Sequence, residues 1–493
     1  MMRICLAGLL SLFLAPLLSG GEKPNILFIL TDDQGWPTLG CYGNERVETP
    51  HLDRLAAEGV RFTDAYVLSQ CTPTRASLLT GQHSARNGMW HVIPWYGTPW
   101  APVTEAPYVE SLPCGSFTLA KGLQDVGYAT TCIGKWHLTD KESGNYVALD
   151  PEAAPAFGFD EAPIPESWRY HQEGDKGVDW LTDKALDFIA RKKEQPWFVY
   201  LSHHTIHGPI VAPEELVQKY RNRGAPEEGL FNAPYLAAIE TLDRGVGRLL
   251  EGLAELGEEE ETLVVFLSDN GGVDIQYDPA DFKDGSGKIE QLRVKERHFS
   301  NAPLRAGKGS PYEGGIRVPA LVKWTGVIPP GQVEGTPIHV TDWLPTLLSA
   351  AGTQAPESWP VDGIDLAPLL QGEEIEDRPL YFYLPLYDLR WGLTPCAVVR
   401  EGPWKLIEYF GDWVDSDGVY HRGEKLELFH LVGDIGESEN LAETQSERAA
   451  KMQGRLHAWM QSFPVPIPGH NPHFDPARPL KETREKPVWY PAE

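Results

Sequence analysis

The sequence predicts an α/β fold: a large mixed, mostly parallel sheet flanked by helices, followed by a small C-terminal α+β region with an antiparallel sheet. Three observations predict it. Continuous apolar runs at 25–30, 197–201 and 262–267 read as strands buried on both faces, because a half-wet strand would alternate. Helical stretches separate those runs, the longest at 233–257, where Leu236, Ile239, Leu242, Val246, Leu249, Leu250 and Leu253 recur at helical spacing. Beyond about residue 373 the apolar runs (380–384, 396–400, 404–407, 426–430) are short and split by turns, the pattern of a small antiparallel sheet. A chain of 493 residues can bury a large core. The expected division is a leader at 1–20, a main α/β domain at 21–372, and a C-terminal subdomain with a Pro-rich tail at 373–493.

Taken in order, residues 1–20 read as a signal peptide: Arg3 is the positive start, 4–18 the apolar core, and small residues follow at 18–21. The run 25–30 ends in Thr31-Asp32-Asp33-Gln34-Gly35. Adjacent carboxylates beyond a buried strand repel unless a cation lies between them; a solvated turn is the plainer reading. A helix with a Gly stop follows at 49–59, and 60–66 leads into the segment around Cys71.

Cys71-Thr72-Pro73-Thr74-Arg75-Ala76-Ser77-Leu78-Leu79-Thr80-Gly81 reads as the start of a helix. Pro73 suits the first turn, Ala76, Leu78 and Leu79 favour helix, and Gly81 suits its end. Cys71 and Arg75, four apart, share a face. A side chain at a helix N-terminus beside a guanidinium sits in positive potential, a setting for a nucleophile that attacks an anion; a buried Cys beside a surface Arg is the alternative.

A helix at 118–126 and a strand at 128–133 lead to Gly134-Lys135-Trp136-His137. In extended chain Lys135 and His137 point the same way and suit an oxyanion and a leaving group. The strand at 197–201 runs into His203, His204 and His207, which by type could also bind a transition metal. The strand at 262–267 ends in Ser268-Asp269-Asn270-Gly271-Gly272, repeating the pattern of oxygen ligands beyond an apolar strand, where α/β sheets place ligand sites. An exposed loop is expected at 275–300, a strand at 319–324 and a helix at 341–352. Between them, glycines flank Lys308 and allow close approach to an anion. Asp32, Asp33, Asp269 and Asn270 offer only hard oxygens, which select calcium or magnesium over zinc.

Cys71-x-Pro73-x-Arg75 with the Ala-Ser-Leu-Leu-Thr-Gly that follows resembles the signature of the type I sulfatases of the alkaline phosphatase superfamily. Gly-Lys135-Trp-His137 and the Gly-Lys308-Gly…Tyr-Glu-Gly-Gly-x-Arg317-x-Pro block follow in the family's order, so the resemblance spans nearly the whole chain. Thr74 stands where many members carry Ser. The resemblance implies an alkaline-phosphatase-like sheet and hydrolysis of sulfate monoesters. It implies conversion of Cys71 to Cα-formylglycine (3-oxoalanine) by a formylglycine-generating enzyme, and one calcium held by Asp32, Asp33, Asp269, Asn270 and modified Cys71. Arg75, Lys135 and Lys308 then offset sulfate charge, His207 with Lys308 protonates the leaving alcohol, and His137 takes a proton from the hydrated aldehyde. Arg317 is expected to support structure.

A net charge of −27 argues against nucleic-acid binding and requires a local basic pocket to draw in an anion. Outside the leader no run is apolar enough to span a bilayer. With no Asn-x-Ser/Thr sequon, export to a bacterial periplasm or beyond is expected. Of six cysteines, Cys41, Cys114, Cys132 and Cys396 show no metal spacing, and a disulfide among them stays unassigned. Aromatic residues Trp95, Trp100, Trp168, Tyr170 and Tyr277 in the loops suit a sulfated carbohydrate, with an aryl sulfate as the second reading. A phosphatase or phosphodiesterase of the same superfamily, and a non-catalytic binder of sulfated glycans, are the competing readings.

Overall fold

In the computed structural model, the described residues are 23–93, 97–139, 148–278, 291–478 and 480. The expected signal segment, Trp95 and the side chain of Trp168 lie outside them. The main sheet is built from β1 (Asn25–Thr31), β2 (Val60–Tyr66), β3 (Ala129–Gly134), β4 (Trp197–Ser202) and β5 (Thr262–Ser268). After a hairpin of β6 (Ile275–Asp278) and β7 (Arg293–Arg297), it is completed by β8 (Arg317–Trp324), β9 (Gln332–Glu334) and β10 (Ile338–His339). The order is β10-β2-β8-β5-β1-β4-β3, with β9 also on β2. Pairs β3–β4, β4–β1 and β1–β5 are parallel, and β8 runs antiparallel to both β5 and β2, so the sheet is mixed and mostly parallel.

Every residue of β1, β3, β4, β5 and β8 is buried, which is why β1, β4 and β5 read as apolar runs without alternation. One face packs Leu27, Ile29, Val199 and Phe266 against Leu55, Phe188, Val246 and Leu249, from helices Pro50–Ala57, Val178–Lys192 and Ala233–Leu256. The other packs Phe28 and Leu30 with Leu78, Leu79, Leu123 and Leu347, from helices Cys71–Thr80, Leu119–Gln124 and Trp343–Ala350. The long helix starts where Asn232 accepts the Tyr235 N–H at 2.9 Å and stops at Gly257, whose φ of 78° a residue with Cβ rarely adopts.

The helix expected at 49–59 spans Pro50–Ala57, with Thr49 as its N-cap residue, whose hydroxyl donates to Asp53 at 3.1 Å, and Glu58 as its C-cap residue. The stretch expected as a loop at 275–300 holds β6 and β7 instead. Strand β7, Arg-Val-Lys-Glu-Arg, is exposed or half-exposed throughout, so it carries no apolar signal; only Tyr277 is buried on the partner strand.

The C-terminal region has its own antiparallel sheet, with β11 (Leu380–Leu384), β12 (Cys396–Glu401) and β13 (Trp404–Tyr409). A two-stranded pair, β14 (Asp412–Val414) and β15 (Tyr420–Arg422), precedes β16 (Lys425–His430), and the order is β11-β12-β13-β16. Helix Ser446–Gln461 packs on it through Met452, Leu456 and Met460. Fully buried Lys405 of β13 pairs with Glu313 at 2.9 Å and Glu437 at 2.8 Å, joining this sheet to the segment after Lys308. The tail docks through Asn471, whose amide donates to Pro99 O and Ala101 O at 2.8 and 2.7 Å. Among the described residues the cysteines are free thiols, and no helix is long and apolar enough to cross a membrane.

Candidate active site

The strand ends build the site. Thr31 of β1 is level with Ser268 of β5, and Leu30 and Gly134 are level with Ser202 of β4. The residues that follow each strand therefore leave the sheet at one edge: Asp32-Asp33, Asp269-Asn270, His203 to His207, and Lys135 to His137. Helix Cys71–Thr80, buried along its whole length, brings its N-terminus to that edge. Thr74 anchors the entry, its hydroxyl accepting from Leu68 N at 2.9 Å and donating to Leu68 O at 3.1 Å, so Thr supplies the hydroxyl that Ser would.

Each carboxylate there meets a cation. Lys135 Nζ lies 2.6 Å from Asp32, Lys308 Nζ 2.6 Å from Asp33, and Arg75 donates Nε and Nη2 to Asp269 at 3.0 and 2.6 Å. Arg75 also donates to Lys135 O at 3.0 Å and to Ser202 Oγ. Asn270 donates to Asp33 at 2.8 Å. Burial opposes ionisation of Asp32, but Lys135, His207 and Arg75 outweigh it and hold its pKa well below the usual range. Asp269 goes up, through burial and then the neighbouring Asp32, despite Arg75.

The Cys71 thiol is 3.3 Å from His137 Nδ1, and His137 Nε2 is 3.0 Å from Ile93 O. A carbonyl accepts only, so Nε2 carries the hydrogen and Nδ1 is the lone pair that faces position 71. Burial, then the Lys135 charge, push His137 down to about 3, so the ring is neutral near pH 7. The expected extended path from Lys135 to His137 is not what brings them together: His137 has φ of 59°, and Thr72 Oγ donates to its carbonyl at 3.0 Å.

His207 is the histidine of its cluster that reaches the cavity. Its Nδ1 is 2.7 Å from Gly208 O, leaving Nε2 3.9 Å from Asp33 Oδ2. Burial, then Lys308, lower it to about 4, although 43 % of the side chain stays accessible at the cavity mouth and tempers the burial. His204 bonds the Tyr170 hydroxyl at 2.8 Å and is buried, as is His203. Asp33, Cys71, His137, His207 and Lys308 line a cavity of about 260 Å³. Arg75, Lys135, Asp32, Asp269 and Asn270 are buried beside it. Arg317 bonds Thr63 O, Asp64 and Glu313.

Several supports carry no sequence signal. Ser202 receives Arg75, Ile93 O orients His137, and buried Lys176 donates to Pro209 O at 2.6 Å beside His207. Asp388 accepts from Gln70, next to Cys71, at 3.0 Å from 318 residues away. Only tertiary proximity reveals them.

The donor set fits a hard cation. Ligand atoms of Asp32, Cys71 and Asp269 lie within 4.8 Å of one another, as do those of Asp32, Asp33 and His207. Asp32 Oδ1 and Asn270 Oδ1 are buried without a hydrogen-bond partner among the described residues, a costly state that a bound cation relieves.

This sheet, with a charged crown at one edge and a separate antiparallel sheet, is an alkaline-phosphatase-like fold. Residues 24–353 match the family model described as Sulfatase, and 307–463 match that of N-sulphoglucosamine sulphohydrolase, C-terminal. Human arylsulfatase A is 33% identical over 478 residues, covering 88% of this chain and 86% of that protein. Dog N-acetylgalactosamine-6-sulfatase is 32% identical, covering 82% of this chain and 74% of that protein. The structure of Ps i-CgsB, 26% identical, superposes with a TM-score of 0.69 over 92% of this chain and 95% of that one. Ps i-CgsB has also been solved in complex with k-i-k-neocarrahexaose. The chain belongs to the sulfatase family and is a sulfuric ester hydrolase.

Proposed function

We propose that the protein is an exported, formylglycine-dependent, calcium-bearing sulfatase acting on sulfate monoesters of carbohydrates, with a catalytic domain at 21–372 and a C-terminal subdomain at 373–493. The observation that carries the proposal is the Cys71 side chain at a helix N-terminus, among buried carboxylates, with the His137 lone pair 3.3 Å away. The thiol stands where the converted side chain's oxygens would be. Once converted, that residue supplies the attacking oxygen and a second hydroxyl through which it regenerates. Asp32, Asp33, Asp269 and Asn270 would hold a hard cation, whose chemistry when bound would be to withdraw charge from sulfate oxygens and acidify a neighbouring hydroxyl.

The chain's own groups do the rest. Arg75 fixes Asp269, Ser202 and the Lys135 backbone in one arrangement. His137, neutral and held by Ile93 O, accepts a proton at Nδ1. Lys308 and His207 face the cavity where the leaving oxygen departs. A bound sulfate's charge shifts the His207 pKa upward, toward the protonated form that can donate. Ps i-CgsB, solved with k-i-k-neocarrahexaose, and the relatives named N-acetylgalactosamine-6-sulfatase support a sugar substrate.

The test is mass spectrometry of the Cys71 peptide from protein made beside a formylglycine-generating enzyme, with sulfate release measured on p-nitrophenyl sulfate and sulfated sugars. An aldehyde at position 71 with turnover is the expected result. An unmodified thiol in protein that turns over esters overturns the nucleophile. An unmodified thiol without turnover favours a sulfated-glycan binder.

A further inference from the structure

A short turn of the C-terminal region, 388–391, reaches into the active-site cavity. Asp388, 2% exposed, accepts from Arg390 Nε and Nη2 at 2.7 Å each and from Gln70 Nε2 at 3.0 Å, and His91 Nε2 lies 3.2 Å from it. Gln70 is the residue before the helix that starts at Cys71, so one carboxylate holds both the nucleophile's entry and this turn. Arg390 and Trp391 line the cavity with Lys308, and the Lys308 Nζ is 5.6 Å from the indole centroid. The indole sits close enough to Gly309 that a Cβ there would be 2.4 Å from Trp391 Cγ; with φ of 80°, glycine is what the close approach requires. Trp391 and Lys308 also line an adjoining cavity of about 190 Å³, so the space beside the leaving oxygen is larger than an aryl ring needs.

We propose that this turn selects the leaving group: Trp391 packs against the C–H face of a sulfated pyranose, and Arg390, positioned by Asp388, donates to that sugar's oxygens. The inference rests on the sulfatase reading above and adds the residues that set its specificity. An apolar ring face beside a fixed guanidinium matches a sugar, which offers both an apolar face and oxygen acceptors. Asp388 is a positioning residue.

The test uses converted holoenzyme, p-nitrophenyl sulfate as reporter substrate, and sulfated mono- and disaccharides of galactose and hexosamine as competitors. For Trp391→Ala, the saccharide inhibition constants should rise about tenfold more than the KM for the aryl ester. Trp391→Phe should keep the wild-type ratio, which separates stacking from collapse of the wall. Asp388→Asn should weaken saccharide competition more than it lowers kcat on the aryl ester. If aryl and saccharide constants move together in Trp391→Ala, the residue only supports Lys308 and the inference fails alone. It also fails alone if the aryl ester is turned over and no sulfated saccharide competes. If no ester is turned over, the reading of the function fails with it.

Discussion

At position 71 the thiol meets His137 Nδ1 at 3.3 Å, and a thiol is a weak donor, so losing that contact costs little stability. Cys71→Ala should therefore abolish ester hydrolysis, with a loss of at least about three decades in kcat, while the denaturation midpoint moves little. Turnover retained in that variant would remove position 71 from the chemistry. Arg75 is the opposite case. It is fully buried, donates twice to Asp269 Oδ2, and is bonded to two further groups. Arg75→Met leaves Asp269 buried without its partner, which should cost about 3–5 kcal/mol in denaturant unfolding as well as activity. Adding Asp269→Asn should restore much of the stability and none of the activity. Full recovery of activity, or no loss of stability in the single variant, contradicts this account.

Among the elements, the strand ends tolerate little. Gly134 closes β3 with φ of 96°, and a Cβ there would lie 2.0 Å from Ser202 O of the neighbouring strand. Gly134→Ala must push β3 away from β4, and Lys135 and His137 travel with it. The expected outcome is a loss of more than about 2 kcal/mol, with kcat falling more than KM rises. Unchanged kinetics in a soluble Gly134→Ala protein would show that the strand end does not set the site. The strand runs themselves were legible because burial on both faces selects apolar residues at every position. The β6–β7 hairpin was not, because its exposed strand carries charge instead.

Across the whole molecule, three carboxylates and one amide oxygen converge from different strands, and two of their buried oxygens lack partners among the described residues. Chelation should lower both turnover and thermal midpoint, and calcium should restore both. A midpoint indifferent to chelator and to calcium would show that no ion is held there. Several buried histidines, His83, His203, His204 and His339 among them, are held low by burial and make stability depend on pH. His339 is fully buried against His83, near Arg378 and Asp342, and burial, then His83 and Arg378, hold its pKa well below normal. The unfolded chain titrates near about 6.5, so as pH falls below that value it binds a proton that the folded ring refuses. Stability is then full above about pH 6.5 and declines below it, by up to about 1.4 kcal/mol per pH unit for one such ring. His339→Gln should flatten that slope between about pH 6.5 and 5 in denaturant titrations; an identical slope would place the acid sensitivity elsewhere.

What the sequence determined by itself is the set of chemical groups and their local supports: hard oxygens beyond buried strands, a helix that starts at Cys71, and glycines where cations approach. These are short-range matters of side-chain type, burial period and turn chemistry, so a few neighbouring residues suffice to reveal them. The tertiary structure alone decided that β5, β1, β4 and β3 lie side by side with their ends level. It also decided that Ser202, Ile93 and Asp388 brace the site. Strand order and register come from packing between segments far apart in the chain, and a serine hydroxyl, a carbonyl or a lone aspartate acquires its role only from what folding places beside it.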